Sequence, residues 1–337
     1  MDNIIINDAK QICKKLNFSE LQNKTVLITG ASGLIGTYLL ATIREINENN
    51  RQHINVISVS RNILPEHLNV LSQYKWFKLY IGDLTDIEFC RKLPECEFII
   101  HAAGYGQPAK FMVDPVKTIT LNTSTTIELF AKLKRGGKFL FLSTSEIYSG
   151  LNNPPYNESQ IGITNTTHPR ACYIEGKRCG EAICNAYRAT GISAYSARLA
   201  LAYGPGTKKG DGRVINTFIE KAINGEINLL DMGEAKRTYC YVADAVEILW
   251  NILLFGCKPI YNVGGNSRIT VKELAIKIGK YLKVPVVFPT ISSEISGAPD
   301  DVYLDMDTVN KEFGKNGYIS LDDGLSRTID YQIKLYK

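Results

Sequence analysis

Residues Lys24 to Gly36, KTVLITGASGLIG, constrain this chain more than any other stretch. Val26-Leu27-Ile28, flanked by threonines, reads as a strand buried on both faces, as strands of parallel sheets are. Glycines follow at positions 30, 33 and 36, and Leu39, Leu40 and Ile43 then open a helical stripe. A strand, a tight glycine turn and a helix bring backbone N–H groups and a positive helix end to one point, where a pyrophosphate can sit. Gly30 permits the turn, Gly33 lets phosphates approach, and Gly36 lets helix and strand pack closely. Ser32, Leu34 and Ile35 complete the same cradle. A glycine triplet alone is a weak signal; its position between a strand and a helix supplies the context it needs.

The order of elements predicts an α/β fold with a doubly wound parallel sheet. Further strands are expected at Asn55–Val59, Phe77–Ile81, Phe98–His101, Phe139–Ser143 and Ser193–Leu199. Long helices are expected over 114–134 and 170–190, with a short amphipathic helix over 4–17. After residue 200 the alternation weakens. Helices are expected up to Asn224, from Asp244, over 270–281 and from Leu321, with a short strand at 285–288. The chain divides into a helical appendage (1–23), a dinucleotide-binding domain (24–200) and a smaller lobe (201–337) interleaved with it.

The end of the second strand decides the cofactor. An acid there would bind ribose hydroxyls and favour NAD(H). This chain has Ser60-Arg61-Asn62, and a guanidinium suits a ribose 2′-phosphate, so NADP(H) is favoured. The alternative is that Arg61 only stacks on adenine and either cofactor binds. Asp83 could accept from the adenine amino group with Leu84 against the ring, or it could cap the helix expected from Thr85. Ala102, Ala103 and Gly104 are small enough for backbone to lie beside the cofactor. His101 reads as a strand-end histidine rather than a catalyst.

Tyr173 and Lys177 are four residues apart and share one helix face. The ammonium lowers the phenol pKa and can hold the cofactor ribose. With the glycine turn and a strand-end Thr144, the pair forms a catalytic constellation. The Pro- and Asn-rich stretch from Leu151 to Pro169 suits a substrate rim.

At 337 residues with 22% charged side chains, a formal charge of +5 is modest, and no basic tract argues for nucleic acid. The eight cysteines form no Cys-x-x-Cys pair and no zinc spacing, so no metal is expected and the thiols read as reduced, in a cytoplasmic protein. No run of about 18 apolar residues could cross a bilayer, and the N-terminus is too polar for a signal peptide.

GASGLIG, GDL, HAAG, STSEIY and YIEGK together resemble the extended short-chain dehydrogenase/reductases that modify nucleotide sugars, in their order and approximate spacing, over almost the whole chain from residue 24. The resemblance implies a Rossmann sheet with a smaller C-terminal lobe for a nucleotide-diphosphate sugar, and a homodimer built through the two long helices. Within the family, DPVKTITLNT, STSEIY, PRACYIEGKR and DGRVINTFI are most similar to UDP-glucuronate decarboxylases; GDP-mannose 4,6-dehydratases also carry Ser-Thr-Ser-Glu. By resemblance Thr144 hydrogen-bonds the reacting oxygen, Tyr173 exchanges its proton, Lys177 assists, and the nicotinamide exchanges hydride at sugar C4. Glu146 is the acid/base farther along the ring, and Ser145, Arg213 and Arg237 face the substrate.

The chain departs from these patterns at four places. Ser60-Arg61 replaces the acid after the second strand, Ser145 stands where dTDP-glucose dehydratases have Asp, and Leu201 replaces the decarboxylases' asparagine. GAPDDV, with Asp300 and Asp301, lacks their C-terminal arginine. The expected reaction is therefore NADPH-dependent reduction of a nucleotide 4-keto sugar. The alternatives are a lyase with internally recycled cofactor (decarboxylase or 4,6-dehydratase) and a 4-epimerase. An inactive cofactor-binding scaffold would be expected to lose Thr144, Tyr173 or Lys177, and all three are present.

Overall fold

The computed structural model describes residues 1–49, 53–289 and 301–337. Its central sheet, among the described residues, is parallel and has seven strands. They run Ile260–Val263, Ser193–Leu199, Leu133–Thr144, Cys96–His101, Thr25–Thr29, Asn55–Ser60 and Phe77–Ile81 across the sheet. Val26, Leu27 and Ile28 have no exposed surface, as a central strand with helices on both faces requires. From Thr25–Thr29 the chain adds two strands outward on one side and then returns to the other with Cys96–His101. That reversal opens a crevice at the carboxyl ends of the strands, where α/β sheets bind ligands.

Gly30 turns the chain at φ +67°, and a Cβ there would lie 2.6 Å from the Ala102 carbonyl oxygen. The helix Leu34–Asn49 follows at once. The strand at Ile260–Val263 pairs with Ser193–Leu199 and so carries the chain back into the central sheet after residue 200. A smaller sheet joins Ser267–Thr270, Lys236–Tyr241 and Asp301–Val302, with Ala202–Tyr203 paired to Lys236–Tyr241.

The helix expected over 114–134 is two helices, Pro115–Asn122 and Ser124–Phe130, and from Leu133 the chain is already strand. Asp114 caps the first, and Thr123 breaks the path with φ −114° and ψ −84°. The threonines supply the reason: Thr123 and Thr126 turn their hydroxyls back onto the carbonyls of Ile119 and Asn122, which favours a bend. Gly136, at φ +75°, and a register shift beside Cys96 then delay regular pairing until Lys138. The helix expected from Thr85 starts at Ile87, capped by Asp86.

The first helix, Asn3–Lys15, is integral to the packing. Buried Asp8 accepts hydrogen bonds from Tyr38 and Tyr241 and pairs with Arg327 of the last helix, Leu321–Tyr336. A second buried knot lies under the sheet's carboxyl end. Glu181 takes three bonds from Arg198, and the Ser143 hydroxyl donates to it at 2.5 Å. Arg198 also donates to Tyr148 and to the carbonyls of Glu158 and Gln160, which stitches the 151–169 stretch to the core.

Candidate active site

A cleft of roughly 370 Å³ opens where the sheet reverses. Its wall includes Gly30, Ser32, Gly33, Leu34, Ile35 and Gly36 from the glycine turn, Ser60 and Arg61 from the second strand end, and Asp83 and Leu84 from the third. Ala102, Ala103 and Gly104 from the fourth strand end and Tyr173 and Lys177 from the helix Ala171–Ala189 complete that side, and Arg213 reaches it from the C-terminal part. Parallel pairing brings these strand ends together: Thr29 lies beside Val59 and His101, and Thr144 beside Leu199.

The fit to a dinucleotide is tested by the turn itself. A Cβ on Gly36 would sit 2.5 Å from the Ala31 backbone, whereas on Gly33 the nearest atom, the Gly30 carbonyl, is 3.3 Å away. The first glycine is needed for packing, and the second leaves the turn open to the cleft, as a bound diphosphate requires. The Ala102–Gly104 backbone is fixed by the Thr29 hydroxyl, which accepts from the Ala103 N–H at 3.0 Å. His101 is fully buried, bonded to Thr29 and to the Leu121 carbonyl, and burial drives its pKa down to about 3. It is a neutral structural histidine. Asp83 has both oxygens engaged, one by the Thr85 N–H and hydroxyl and the other by Lys117. Arg61 lies over the Tyr105 ring, 4.9 Å from its centre, and donates to its hydroxyl at 2.8 Å.

Thr144, Ser145, Glu146 and Arg237 are not on this wall; Thr144 and Glu146 connect to it through Tyr173, and Arg237 acts on Glu146. The Thr144 hydroxyl stands close enough to the Tyr173 phenol to lower its pKa, but burial outweighs it and pushes that phenol up to about 12. Lys177 is buried, donates to the Leu142 carbonyl at 2.5 Å, and lies 6.0 Å from the Tyr173 ring centre. Burial brings its pKa down to about 7, partly opposed by the charge of Glu181.

Glu146 is the second residue of the short turn Ser145–Tyr148, and the Thr144 hydroxyl accepts from its N–H. Burial raises its pKa, while the positive charges of Arg170, Arg237 and His168 pull the other way. One oxygen takes a bond from Arg170; the other, Oε2, is buried with no hydrogen-bond partner among the described residues. Arg213 is held by Asp211 through two bonds of 2.6 and 2.8 Å. Of the acids at GAPDDV, Gly297 to Asp300 lie outside the described residues. Asp301 is ion-paired with Arg268 and is not a bare negative charge.

Two site residues had little signal in the sequence. Phe111, fully buried, stacks flat on Tyr173, yet it comes from a Gly- and Pro-containing segment without periodicity. Arg170, three residues before Tyr173, is the ion-pair partner of Glu146, and only its place at the helix start could have marked it.

Residues 26–264 match the model of the NAD dependent epimerase/dehydratase family. The chain is 30% identical over 319 residues to UDP-glucuronic acid decarboxylase 1 of Xenopus tropicalis, covering 93% of this chain and 73% of that protein. It is 32% identical over 284 residues to UDP-glucuronic acid decarboxylase 6 of Arabidopsis thaliana, covering 83% and 79%. The fold is similar to that of UDP-glucuronic acid 4-epimerase from Bacillus cereus in complex with UDP-glucuronic acid and NAD. The TM-score is 0.77, at 20% identity over 93% of this chain and 100% of the other. No helix among the described residues is long and apolar enough to cross a membrane.

Proposed function

This chain belongs to the NAD-dependent epimerase/dehydratase family, and on that premise we propose that it is a nucleotide-sugar lyase. It removes carbon dioxide or water from a sugar whose C4 hydroxyl is first oxidised; loss of carbon dioxide is followed by restoring that hydroxyl, whereas loss of water leaves the C4 ketone and reduces C6. The chain is thus an enzyme of the extended short-chain dehydrogenase/reductases. The observation that carries the lyase reading is Glu146. Reduction of a ketone needs only Thr144, Tyr173 and Lys177. A half-buried carboxyl with a raised pKa and a buried, unpartnered oxygen, close enough to Tyr173 to act on its titration, serves chemistry at a second carbon.

In this reading Thr144 hydrogen-bonds the C4 oxygen and Tyr173 passes its proton. Lys177 stabilises the phenolate whenever Tyr173 has given up that proton. The diphosphate of the cofactor would be held by the turn from Gly30 to Gly36, its adenosine by Ser60, Arg61, Asp83 and Leu84, and its nicotinamide end by Ala102–Gly104, Tyr173 and Lys177. Bound there, it supplies hydride exchange at C4. A ketone at C4 stabilises the electron pair left on C5, either when a C6 carboxylate departs as carbon dioxide or when C5 loses a proton and C6 loses water. Glu146 delivers or removes the proton on that side. Arg170, Arg237 and Arg213 supply positive charge for a sugar carboxylate or the nucleotide diphosphate. Residues 24–200 read as the dinucleotide-binding part and 201–337 mainly as the sugar-nucleotide part, with 1–23 packed against both. The helices Pro115–Asn122, Ser124–Phe130 and Ala171–Ala189 would pair in a homodimer, and exposed Val116, Ile119 and Ile127 support that.

For the cofactor we favour NADP(H), on the Arg61 guanidinium and the absence of an acid after the second strand. Reduction of a 4-keto sugar with exchangeable NADPH is the second reading, and it shares that observation. One experiment separates them. Purified protein is denatured, the released nucleotide is identified by mass spectrometry, and fresh protein is incubated with UDP-glucuronate and with nucleotide hexoses. The expected result is a retained cofactor and sugar conversion without net cofactor consumption. Empty protein that consumes added NADPH on 4-keto sugars would overturn the lyase reading. Retained NAD(H) would leave the lyase in place and overturn the reading of Arg61.

A further inference from the structure

We infer that Lys208 is a specificity residue for the cofactor: with Arg61 and Lys110 it forms a three-cation clamp for the 2′-phosphate of NADP. The clamp extends the phosphate site onto the loop from Gly204 to Arg213. The inference rests on the NADP reading proposed above.

The loop is fixed at several points. The Thr207 hydroxyl donates to the Gly204 carbonyl at 2.9 Å, and the Gly210 N–H donates to the Tyr336 hydroxyl at 3.0 Å. Lys209 sits 4.9 Å from the Tyr336 ring centre, so the last helix also anchors the loop. Between these anchors Lys208 reaches into the cleft, with its Nζ 3.4 Å from the Ser32 hydroxyl of the glycine turn. Arg61 comes from the second strand end and is held over Tyr105; Lys110 comes from the segment after the fourth strand. Three separate parts of the chain thus deliver cations to one cleft, and Arg61 among them stands where an acid would read the ribose of NAD.

The cleft's own acids do not neutralise them. Asp83 is engaged by Lys117, and Asp211 by Arg213. Burial and then the positive charges of Lys110 and Arg61 lower the pKa of Lys208, and Lys208 in turn helps lower that of His67. Cations gathered against their mutual repulsion, with no carboxylate among them, fit a multiply charged anion; a ribose phosphate beside the diphosphate supplies that charge.

The test uses the full chain stripped of nucleotide, with adenosine 2′,5′-bisphosphate and 5′-AMP as probes in calorimetric titrations. The wild type is expected to prefer the bisphosphate. Lys208→Gln should weaken the bisphosphate about tenfold, the effect of one charge-assisted hydrogen bond, and change 5′-AMP much less; Lys208→Arg should restore it. An unchanged melting temperature establishes that the variant is folded, and Lys110→Gln provides an independent second probe of the clamp. Equal weakening of both probes, or no weakening, overturns the role of Lys208 while the NADP reading stands. A wild type without preference for the bisphosphate overturns the NADP reading itself, and the clamp with it.

Discussion

The ring of Phe111 lies flat against the ring of Tyr173, with centroids 4.6 Å apart and planes inclined by 3°. Phe111 also meets the Arg170 guanidinium, 5.8 Å from the ring centre. One buried aromatic therefore meets both the Tyr173 phenol and the cation that binds Glu146. Such a stack is worth about 0.5–1.5 kcal/mol beyond its burial, and it keeps water from the phenol.

Phe111→Leu retains most of the volume and loses the stack. Turnover is expected to fall by up to about tenfold, with cofactor affinity nearly unchanged. Burial is what raises the phenol to about 12, so admitting water should bring it down toward 10. An ultraviolet titration of the variant, with Tyr173→Phe as the reference that removes this phenol, reads the shift. A phenol that titrates as in the wild type would mean that Phe111 does not shield it.

Glu146→Gln is expected to lower turnover of a lyase by a factor of about 100 to 10,000 while the bound cofactor remains. A simple ketoreductase would lose much less. The partner cation gives a second check. Arg170 lowers the Glu146 pKa against the effect of burial. Arg170→Gln should therefore raise it further and move the limb of the pH–rate profile that reports Glu146 to higher pH. A profile that stays in place would remove Glu146 from the proton transfers.

Arg198→Leu leaves Glu181 charged and buried without its partner. Breaking a buried pair in this way costs about 3–5 kcal/mol, to be read by urea unfolding. The double variant Glu181→Gln/Arg198→Leu should be less unstable than the sum of the two singles, because no lone charge remains. Strict additivity would mean that the two side chains act independently, in spite of their three bonds in the structure.

Much of this arrangement was legible in the sequence. The strand Phe77–Ile81, the strand Ser193–Leu199 and the helix from Leu321 have their expected bounds, because long apolar runs between turn residues leave little choice. The convergence of Gly30, Arg61, Ala102 and Tyr173 on one cleft followed from parallel strand order, which brings the strand ends to one edge. The break at Thr123 was not legible, since threonines that bond back to carbonyls keep the apolar spacing of a helix. Phe111, Arg170 and Lys208 were also hidden. Each acts through a partner far away in sequence, and neither periodicity nor a local motif records such a pairing. The charge of Asp301 is likewise met by Arg268, thirty-three residues earlier.

The last prediction concerns Lys177 and pH. Its pKa is lowered by burial from 10.5 to about 7. Below pH 7 the lysine is protonated in both folded and unfolded chains and adds no pH dependence. Between about 7 and 10.5 the unfolded chain holds a proton that the folded chain has released, so stability rises with pH through this window. The contribution is complete above the unfolded value and is lost as pH falls toward 7. Lys177→Met removes the group but keeps an unbranched apolar chain in its place. The stability difference between wild type and variant, from urea unfolding of the cofactor-free protein at several pH values, should therefore shift in favour of the wild type as pH rises from 7 to 9.5. A bound ligand that accepts a hydrogen bond from the ammonium favours its charged form, so saturating cofactor should flatten that slope. Parallel curves without cofactor would mean that Lys177 stays charged in the folded chain, held by Glu181 and the Leu142 carbonyl against the effect of burial.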